Sequence, residues 1–144
     1  MLRKANAVWE GNLRNGEGTI NTESKALLEK PYSFATRFEN QPGTNPEELI
    51  AAAHAACFSM AFASTLKKNG YEPERIETNS VCTLAPKTGG GFEITKMQLS
   101  VRGQVAEIDE DTFEEIAELA DAGCPVSNLL RCGLEIELEV ELLE

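Results

Sequence analysis

The segment Gly43–Leu66, GTNPEELIAAAHAACFSMAFASTL, contains a helix start, a long apolar run and a cysteine. Asn45 is predicted to be the N-cap, and Pro46 the first helical residue, where no amide hydrogen is needed. Glu48 lies where a capping-box carboxylate reaches back to the cap. The helix start therefore leaves Glu47 without a local role.

The run Leu49–Leu66 contains no Asp, Glu, Lys or Arg, and apolar residues occupy nearly every face. This pattern predicts a helix that is buried on all sides, with Cys57 inside it. A run of this length is also compatible with a transmembrane helix, since roughly 20 apolar residues span a bilayer. Its many alanines, together with polar residues such as His54 and Ser59, favour a central helix covered by a sheet and by a second subunit.

Length and charge limit the possible functions. At 144 residues the chain has the size of one domain, which buries about two-thirds of the surface that the unfolded chain exposes. The formal net charge of -11 argues against nucleic acids and anionic membrane surfaces as partners, because both require clustered Lys and Arg. The start MLRKANAVWEG has no apolar signal core, so we expect a cytoplasmic protein.

The N-terminal third alternates short strand-like runs with turn residues. Strands are predicted over Ala7–Glu10, Gly18–Glu23 and Tyr32–Phe38, as an antiparallel meander. The helix that follows is expected to end near Gly70, which suits a left-handed cap.

Further elements are predicted after the helix: strands Arg75–Ala85 and Phe92–Val105, a helix from Asp109 or Asp111 to about Ala122, a short helix after Cys124-Pro125, and a strand Leu134–Leu142. In the last strand, residues 134, 136, 138, 140 and 142 are apolar and face inward, and the glutamates at 135, 137, 139 and 141 face outward. This glutamate row is expected to be solvated and to pair with Lys96 and Arg102 across the ladder. The whole pattern predicts an α+β fold.

The four cysteines are Cys57, Cys82, Cys124 and Cys132. Two structural disulfides would suit a secreted domain, but there is no C-x-x-C pair, and a reducing compartment favours buried thiols. Cys124 is the predicted cap of the short helix, a position where the unpaired amides and the helix dipole favour a thiolate. Cys57 alone is typical of an inert core thiol. Two thiols on helices nevertheless suggest reversible disulfide chemistry, whereas Cys82 and Cys132 are expected to be structural.

His54 and two charged residues complete the candidates. His54 lies three residues before Cys57, a spacing that fits a Cys-His hydrolase or a metal site. It is the chain's only histidine, so a histidine hydrogen-bonded in the core or an interface is the preferred interpretation. Arg37 and Glu47 each lie next to an apolar element and are expected to pair, either at a site or as a partly exposed salt bridge.

The chain resembles the OsmC branch of the OsmC/Ohr family of thiol-dependent hydroperoxide reductases. The segments that carry the resemblance are VWEGNLRNGEGTINTES, PYSFATRFE, GTNPEELIAAAHAACFSMA and AGCPVSNLL. The resemblance implies one OsmC-like domain over residues 1–144, with antiparallel sheets around a long buried central helix. It also implies an intertwined homodimer with an active site at each side of the interface.

By position, the resemblance implies that Cys57 is the peroxidatic cysteine and Cys124 the resolving cysteine, and that Arg37 and Glu47 hold the thiolate. It further implies organic hydroperoxide substrates, a dihydrolipoyl protein as the dithiol reductant, and no metal or cofactor. An apolar surround suited to an alkyl substrate is expected from Phe34, Phe38, Phe58 and Met60.

Two other classes of function remain open from the sequence. A non-catalytic dimeric scaffold or small-molecule-binding protein would have inert thiols, and a cysteine hydrolase would depend on His54. A geometric point bears on the dimer: Glu47 and Cys57 are ten residues apart on one predicted helix, roughly 15 Å along its axis. We therefore expect Arg37 and Glu47 of one subunit to complete the site around Cys57 and Cys124 of its partner.

Overall fold

The structure is a computed structural model and describes residues 1–132 and 135–143. Contacts divide the chain into two compact units, Met1–Leu49 and Ile50–Glu144, and each unit is described by itself. The single domain over residues 1–144 stays a prediction.

The first unit contains the predicted antiparallel meander. Its strands are β1 (Ala5–Glu10), β2 (Glu17–Thr22) and β3 (Lys30–Ser33), in the order β1-β2-β3. Gly18 of β2 pairs with Tyr32 of β3, and a Cβ at position 18 would lie 2.4 Å from the Tyr32 ring. Glycine at this position therefore lets the tyrosine ring lie across β2.

The predicted strand Tyr32–Phe38 is wrong in its second half, where the chain forms α1 (Phe34–Phe38). Ser33 is the N-cap of this helix: its hydroxyl accepts from the Thr36 amide (3.2 Å), and the Thr36 hydroxyl accepts from the Ser33 amide (2.9 Å). This reciprocal capping overrides the β-propensity of the aromatic residues. Because α1 replaces strand here, Arg37 projects from a helical turn.

Helix α2 (Pro46–Lys68) begins and ends as predicted. The Asn45 side chain accepts from the Glu48 amide (2.8 Å), whereas the Glu48 carboxylate accepts from the Thr44 hydroxyl (3.4 Å) rather than closing a capping box. After the last turn, Gly70 adopts a φ of 92°, and the Tyr71 amide donates to the Leu66 carbonyl (3.0 Å). This is the left-handed ending expected of a C-terminal glycine.

The prediction that the apolar helix is buried on all sides is wrong for the single chain. In the second unit its buried residues recur every fourth position: His54, Phe58, Phe62 and Leu66. Another stripe is exposed, at residues 52, 56, 60 and 64. By length and composition alone α2 meets the criterion for a membrane span, as core helices of soluble proteins also do.

The second unit contains the sheet β4 (Pro73–Pro86), β5 (Phe92–Val105) and β6 (Glu135–Leu143), in that order. β4 and β5 are antiparallel, but β6 joins β5 in parallel, which corrects the prediction of antiparallel sheets. Helices α3 (Glu110–Gly123) and α4 (Pro125–Arg131) form the crossover that a parallel connection requires.

Alternation in β6 is confirmed where its side chains are described. Residues 136, 138, 140 and 142 pack against the core, and Leu134 lies outside the described residues. On the opposite face, Glu137 pairs with Lys96, and Glu141 lies 3.7 Å from Arg102. The predicted cross-strand pairing of the glutamate row is therefore confirmed.

The core of the second unit forms where α2, α3 and β5 meet. Asp109 caps α3 by accepting from the Thr112 amide (2.9 Å), and the predicted stripe of α3 is buried: Phe113, Ile116, Ala117 and Ala120. Phe62 of α2 lies edge-on to Phe113, with ring centroids 4.9 Å apart. This aromatic contact fixes the face that α2 turns inward.

We expect Phe62→Ala to lower the free energy of unfolding by about 3–5 kcal/mol, because it removes a fully buried ring and leaves a cavity against Phe113. The control is Leu119→Ala on the exposed face of α3, which should change the value by less than about 0.5 kcal/mol. Urea unfolding at one fixed protein concentration measures both. Equal effects of the two substitutions would contradict this description of the core.

Candidate active site

The first unit brings together Arg37 and Glu47, the pair expected from the sequence. The Glu47 carboxylate accepts from Arg37 Nε (3.1 and 3.2 Å to its two oxygens) and from Arg37 Nη2 (2.6 Å). Glu47 is buried, and the arginine side chain is about one-third exposed. The Arg37 guanidinium also lies over the Phe38 ring, 5.1 Å from its centroid. The arginine is therefore oriented by a carboxylate and an aromatic face together.

An apolar cavity of about 270 Å³ lies beside this arginine in the first unit. Its lining includes Trp9, Tyr32, Phe34, Phe38 and Arg37. The rings of Phe34 and Phe38 are in contact, with centroids 4.7 Å apart. Two of the three phenylalanines expected near a substrate, Phe34 and Phe38, thus line one cavity with the guanidinium.

The second unit brings together Cys57 of α2 and Cys124, the N-cap of α4, whose thiols lie next to each other. Pro125 occupies the first turn of α4, as predicted. Cys124 makes no side-chain cap hydrogen bond and is fully buried. Its thiol faces Cys57 instead of the free amides of its own helix.

The environment of Cys57 disfavours the thiolate. Burial is the largest effect and raises the pKa of the Cys57 thiol above its ordinary value, and the adjacent Cys124 thiol raises it further. A hydrogen bond from the Val126 amide, in the first turn of α4, acts in the opposite direction. A positive charge near the sulfur would be needed to favour the thiolate at neutral pH.

His54 is a buried core histidine, as the preferred interpretation predicts. Its Nε2 lies 2.8 Å from the Ser127 hydroxyl of α4, and its Nδ1 has no partner among the described residues. Burial lowers the pKa of His54, which therefore stays neutral at pH 7. Ser127 was not predicted from the sequence. The available signal was its spacing, because Ser127 follows Cys124 by three residues and His54 precedes Cys57 by three residues.

The sequence also left a metal site and a Cys-His pair open as roles for His54. Within residues 1–132 and 135–143, no three His, Cys, Asp or Glu side chains are grouped as metal ligands. The Nε2 atom of His54 is engaged by Ser127.

The remaining predicted residues separate by burial. Met60 is 76% exposed and lines a second cavity, of about 370 Å³, beside Cys57. Phe58 is fully buried in the core, which argues against its predicted role in substrate binding. Cys82 is half-buried in β4, and Cys132 is exposed at the end of α4. None of the four cysteines forms a disulfide.

Comparison with known proteins connects this geometry to a family. The sequence model described as "OsmC-like protein" matches residues 38–139, which include Cys57 and Cys124. The chain belongs to the OsmC family. It is 49% identical to the peroxiredoxin OsmC of Escherichia coli (strain K12) over 96% of each chain. It is also 30% identical to the organic hydroperoxide resistance protein OhrB of Bacillus subtilis (strain 168), over 72% of this chain and 74% of OhrB.

Solved structures of OsmC-family members share the fold. The crystal structure of Bacillus subtilis OhrB matches with a TM-score of 0.72 at 26% identity, over 96% of this chain and 98% of that one. An OsmC-like protein from Mycoplasma pneumoniae matches with a TM-score of 0.77 at 17% identity, over 100% and 99% of the two chains. The predicted α+β, OsmC-like fold is therefore confirmed.

Proposed function

We propose that this OsmC-family protein is a thiol-dependent peroxidase that reduces organic hydroperoxides, and hydrogen peroxide less well. The observation that carries the proposal is the proximity of Cys57, partly exposed on α2, to Cys124, buried at the start of α4. Relatives named peroxiredoxin OsmC and organic hydroperoxide resistance protein OhrB support the same chemistry.

The proposed reaction has two steps and a recycling step. The Cys57 thiolate attacks the terminal peroxide oxygen, the O–O bond breaks, and an alcohol leaves while Cys57 becomes a sulfenic acid. Cys124 then attacks this sulfur, which forms a disulfide and releases water. A dithiol returns both cysteines to thiols, and we propose a dihydrolipoyl protein as its source. The residues present require no metal or cofactor for these steps.

Arg37 is the cation that we assign to the Cys57 thiolate. The first step requires a thiolate, yet burial raises the pKa of Cys57. Arg37 binds Glu47 through Nε and Nη2, and we assign Nη1 to the sulfur side. A guanidinium held in this way supplies charge without first having to be ordered.

The alkyl part of the substrate is assigned to the apolar cavity beside Arg37. Phe34 and Phe38 line this cavity, and apolar walls with one charged group suit a hydroperoxide with a hydrocarbon body. Met60, exposed beside Cys57, is a further candidate for contact with the alkyl group. Phe58 is left out because it is buried in the core.

We propose an intertwined homodimer in which each site is shared between subunits. The exposed, charge-free stripe of α2 at residues 52, 56, 60 and 64 supports a second copy as its cover. Glu47 and Cys57 are ten residues apart on the continuous helix α2, about 15 Å along its axis. Supply of Arg37 and Glu47 from the partner removes the need for one chain to cover this distance.

The four unbridged cysteines further support a cytoplasmic location.

Cys57→Ser should abolish peroxide reduction, because a hydroxyl cannot replace the attacking thiolate. Cys124→Ser should permit a single turnover and leave Cys57 as a sulfenic acid or a more oxidised species. Consumption of cumene hydroperoxide with dihydrolipoamide, followed by mass spectrometry of the protein, measures both. Full activity in Cys57→Ser would contradict the mechanism, and normal cycling in Cys124→Ser would exclude Cys124 as the resolving thiol. The non-catalytic alternative instead predicts that Cys57 is alkylated no faster than Cys82.

Arg37→Ala should lower kcat/KM on the order of 10²-fold and raise the pKa of Cys57, because the thiolate loses its proposed counter-charge. Arg37→Lys should restore the activity only in part, since an ammonium lacks the planar fork that binds Glu47. The pH dependence of Cys57 alkylation measures the shift in pKa. An unchanged titration in Arg37→Ala would show that the arginine has another role.

A mixed dimer tests which subunit supplies Arg37. Subunits carrying Arg37→Ala and Cys57→Ser are co-expressed with different tags, and the mixed dimer is isolated through both tags. Supply from the partner gives one intact site in each mixed dimer, so activity above both parent homodimers is expected. Supply within one chain leaves no intact site, and an inactive mixed dimer would therefore refute the shared site.

A further inference from the structure

The hydrogen bond between His54 and Ser127 joins the two helices that carry the reacting thiols. His54 precedes Cys57 by three residues on α2, and Ser127 follows Cys124 by three residues at the start of α4. Residues three apart on a helix share a face, so the polar pair lies next to the thiol pair. The His54–Ser127 bond thus links the two helices beside the contacts that Cys57 makes with Cys124 and with the Val126 amide, and it takes no part in the reaction.

Helix α4 depends on outside contacts for its position. It has only seven residues, too few for a stable helix in isolation, and Cys124 gives it no side-chain cap. Two further side-chain bonds of α4 return to the end of α3: Asn128 donates to the Ala122 carbonyl (3.0 Å), and Arg131 pairs with Asp121 (2.7 Å). The bond between His54 and Ser127 ties α4 to α2 beside the hydrogen bond from the Val126 amide to the Cys57 thiol.

Burial makes this bond a strong constraint. His54 and Ser127 are both fully buried, so no water is available to replace a lost partner. Disulfide formation has strict geometry, with Cβ atoms about 3.8 Å apart. A displacement of about 1 Å at a reacting group reduces a rate by about 10²-fold. A fixed distance between α2 and α4 therefore matters most when the sulfur–sulfur bond forms.

We propose that His54 and Ser127 are positioning residues for the resolving step. This inference rests on the proposed function. In that step the Cys124 sulfur attacks the Cys57 sulfenic acid, an S–S bond forms, the S–O bond breaks, and the hydroxide leaves as water with the Cys124 proton. The two electrons have already been transferred to the peroxide in the first step, so no further oxidant is required.

The test separates the two steps in a single turnover. Reduced protein is mixed with one equivalent of cumene hydroperoxide, quenched at intervals with dimedone, and analysed by mass spectrometry for trapped sulfenic acid and for the Cys57–Cys124 disulfide. Ser127→Ala should slow disulfide formation by about 10- to 100-fold and slow sulfenic acid formation far less. Ser127→Thr, which keeps the hydroxyl, should restore the rate of disulfide formation.

Two further variants complete the design. His54→Gln places an amide within reach of Ser127 and should give an intermediate rate. Ser59→Ala removes a half-buried hydroxyl of α2 that bonds the Ala55 carbonyl and Thr78 of β4, and should leave disulfide formation unchanged.

The outcomes distinguish the two proposals. If wild-type protein forms no sulfenic acid, the proposed function fails and this inference with it. If wild-type protein cycles but Ser127→Ala forms the disulfide at the normal rate, or slows both steps equally, only the positioning role is overturned.

Discussion

The proposed reaction requires a thiolate at Cys57, where burial opposes negative charge. The Val126 amide offsets part of this penalty through the first turn of α4, so the helix that begins at the second thiol also helps to ionise the first. The remaining stabilisation has to come from a cation. Arg37 is held by Glu47 and Phe38 in a way that fits this requirement, because a pre-oriented guanidinium avoids the entropy cost of ordering a long side chain.

The composition of α2 suits several demands at once. Its alanines give α2 a high helix propensity and small side chains. Phe58, Phe62 and Leu66 supply enough apolar area to fix one face of the helix in the core. A charge close to Cys57 on the same helix would act on the thiol directly. The absence of charged residues between positions 49 and 66 leaves the tuning of Cys57 to groups from other elements.

Local signals in the sequence predicted the parts of the fold that local physics determines. Asn45 with Pro46 marked the start of α2, and strand Phe92–Val105 was predicted with its observed ends. Predictions failed where residues far apart in the sequence determine the structure. The alternation in β6 determines which side chains face inward, and it does so whether the strand runs parallel or antiparallel to its neighbour. The alternation therefore could not reveal the parallel pairing with β5. At Ser33, a capping box changed an aromatic, strand-like run into a helix.

The residues of the candidate site also fall into those that local sequence signals predicted and those that they did not. Glu47 has no role at the start of α2, and this indicated that its carboxylate pairs with Arg37, because a charge next to an apolar element requires a partner. Val126 and Ser127 were missed because their roles depend on how α4 packs against α2, which no pattern within either segment specifies. For Phe58 the residue type suited a substrate pocket, but its place on the inward face of α2 assigned it to the core.

Exposure, more than intrinsic reactivity, separates the roles of the thiols. Cys57 is partly exposed and can meet a peroxide, while Cys124 has no exposed surface and is protected from direct oxidation. Cys132 is exposed and would compete for the Cys57 sulfenic acid only by approaching from outside. Cys124 already lies next to Cys57, and attack between adjacent groups is faster than attack that must first bring the groups together. In the proposed reaction, the packing of α4 on α2 therefore both places Cys124 as the resolving thiol and keeps it buried.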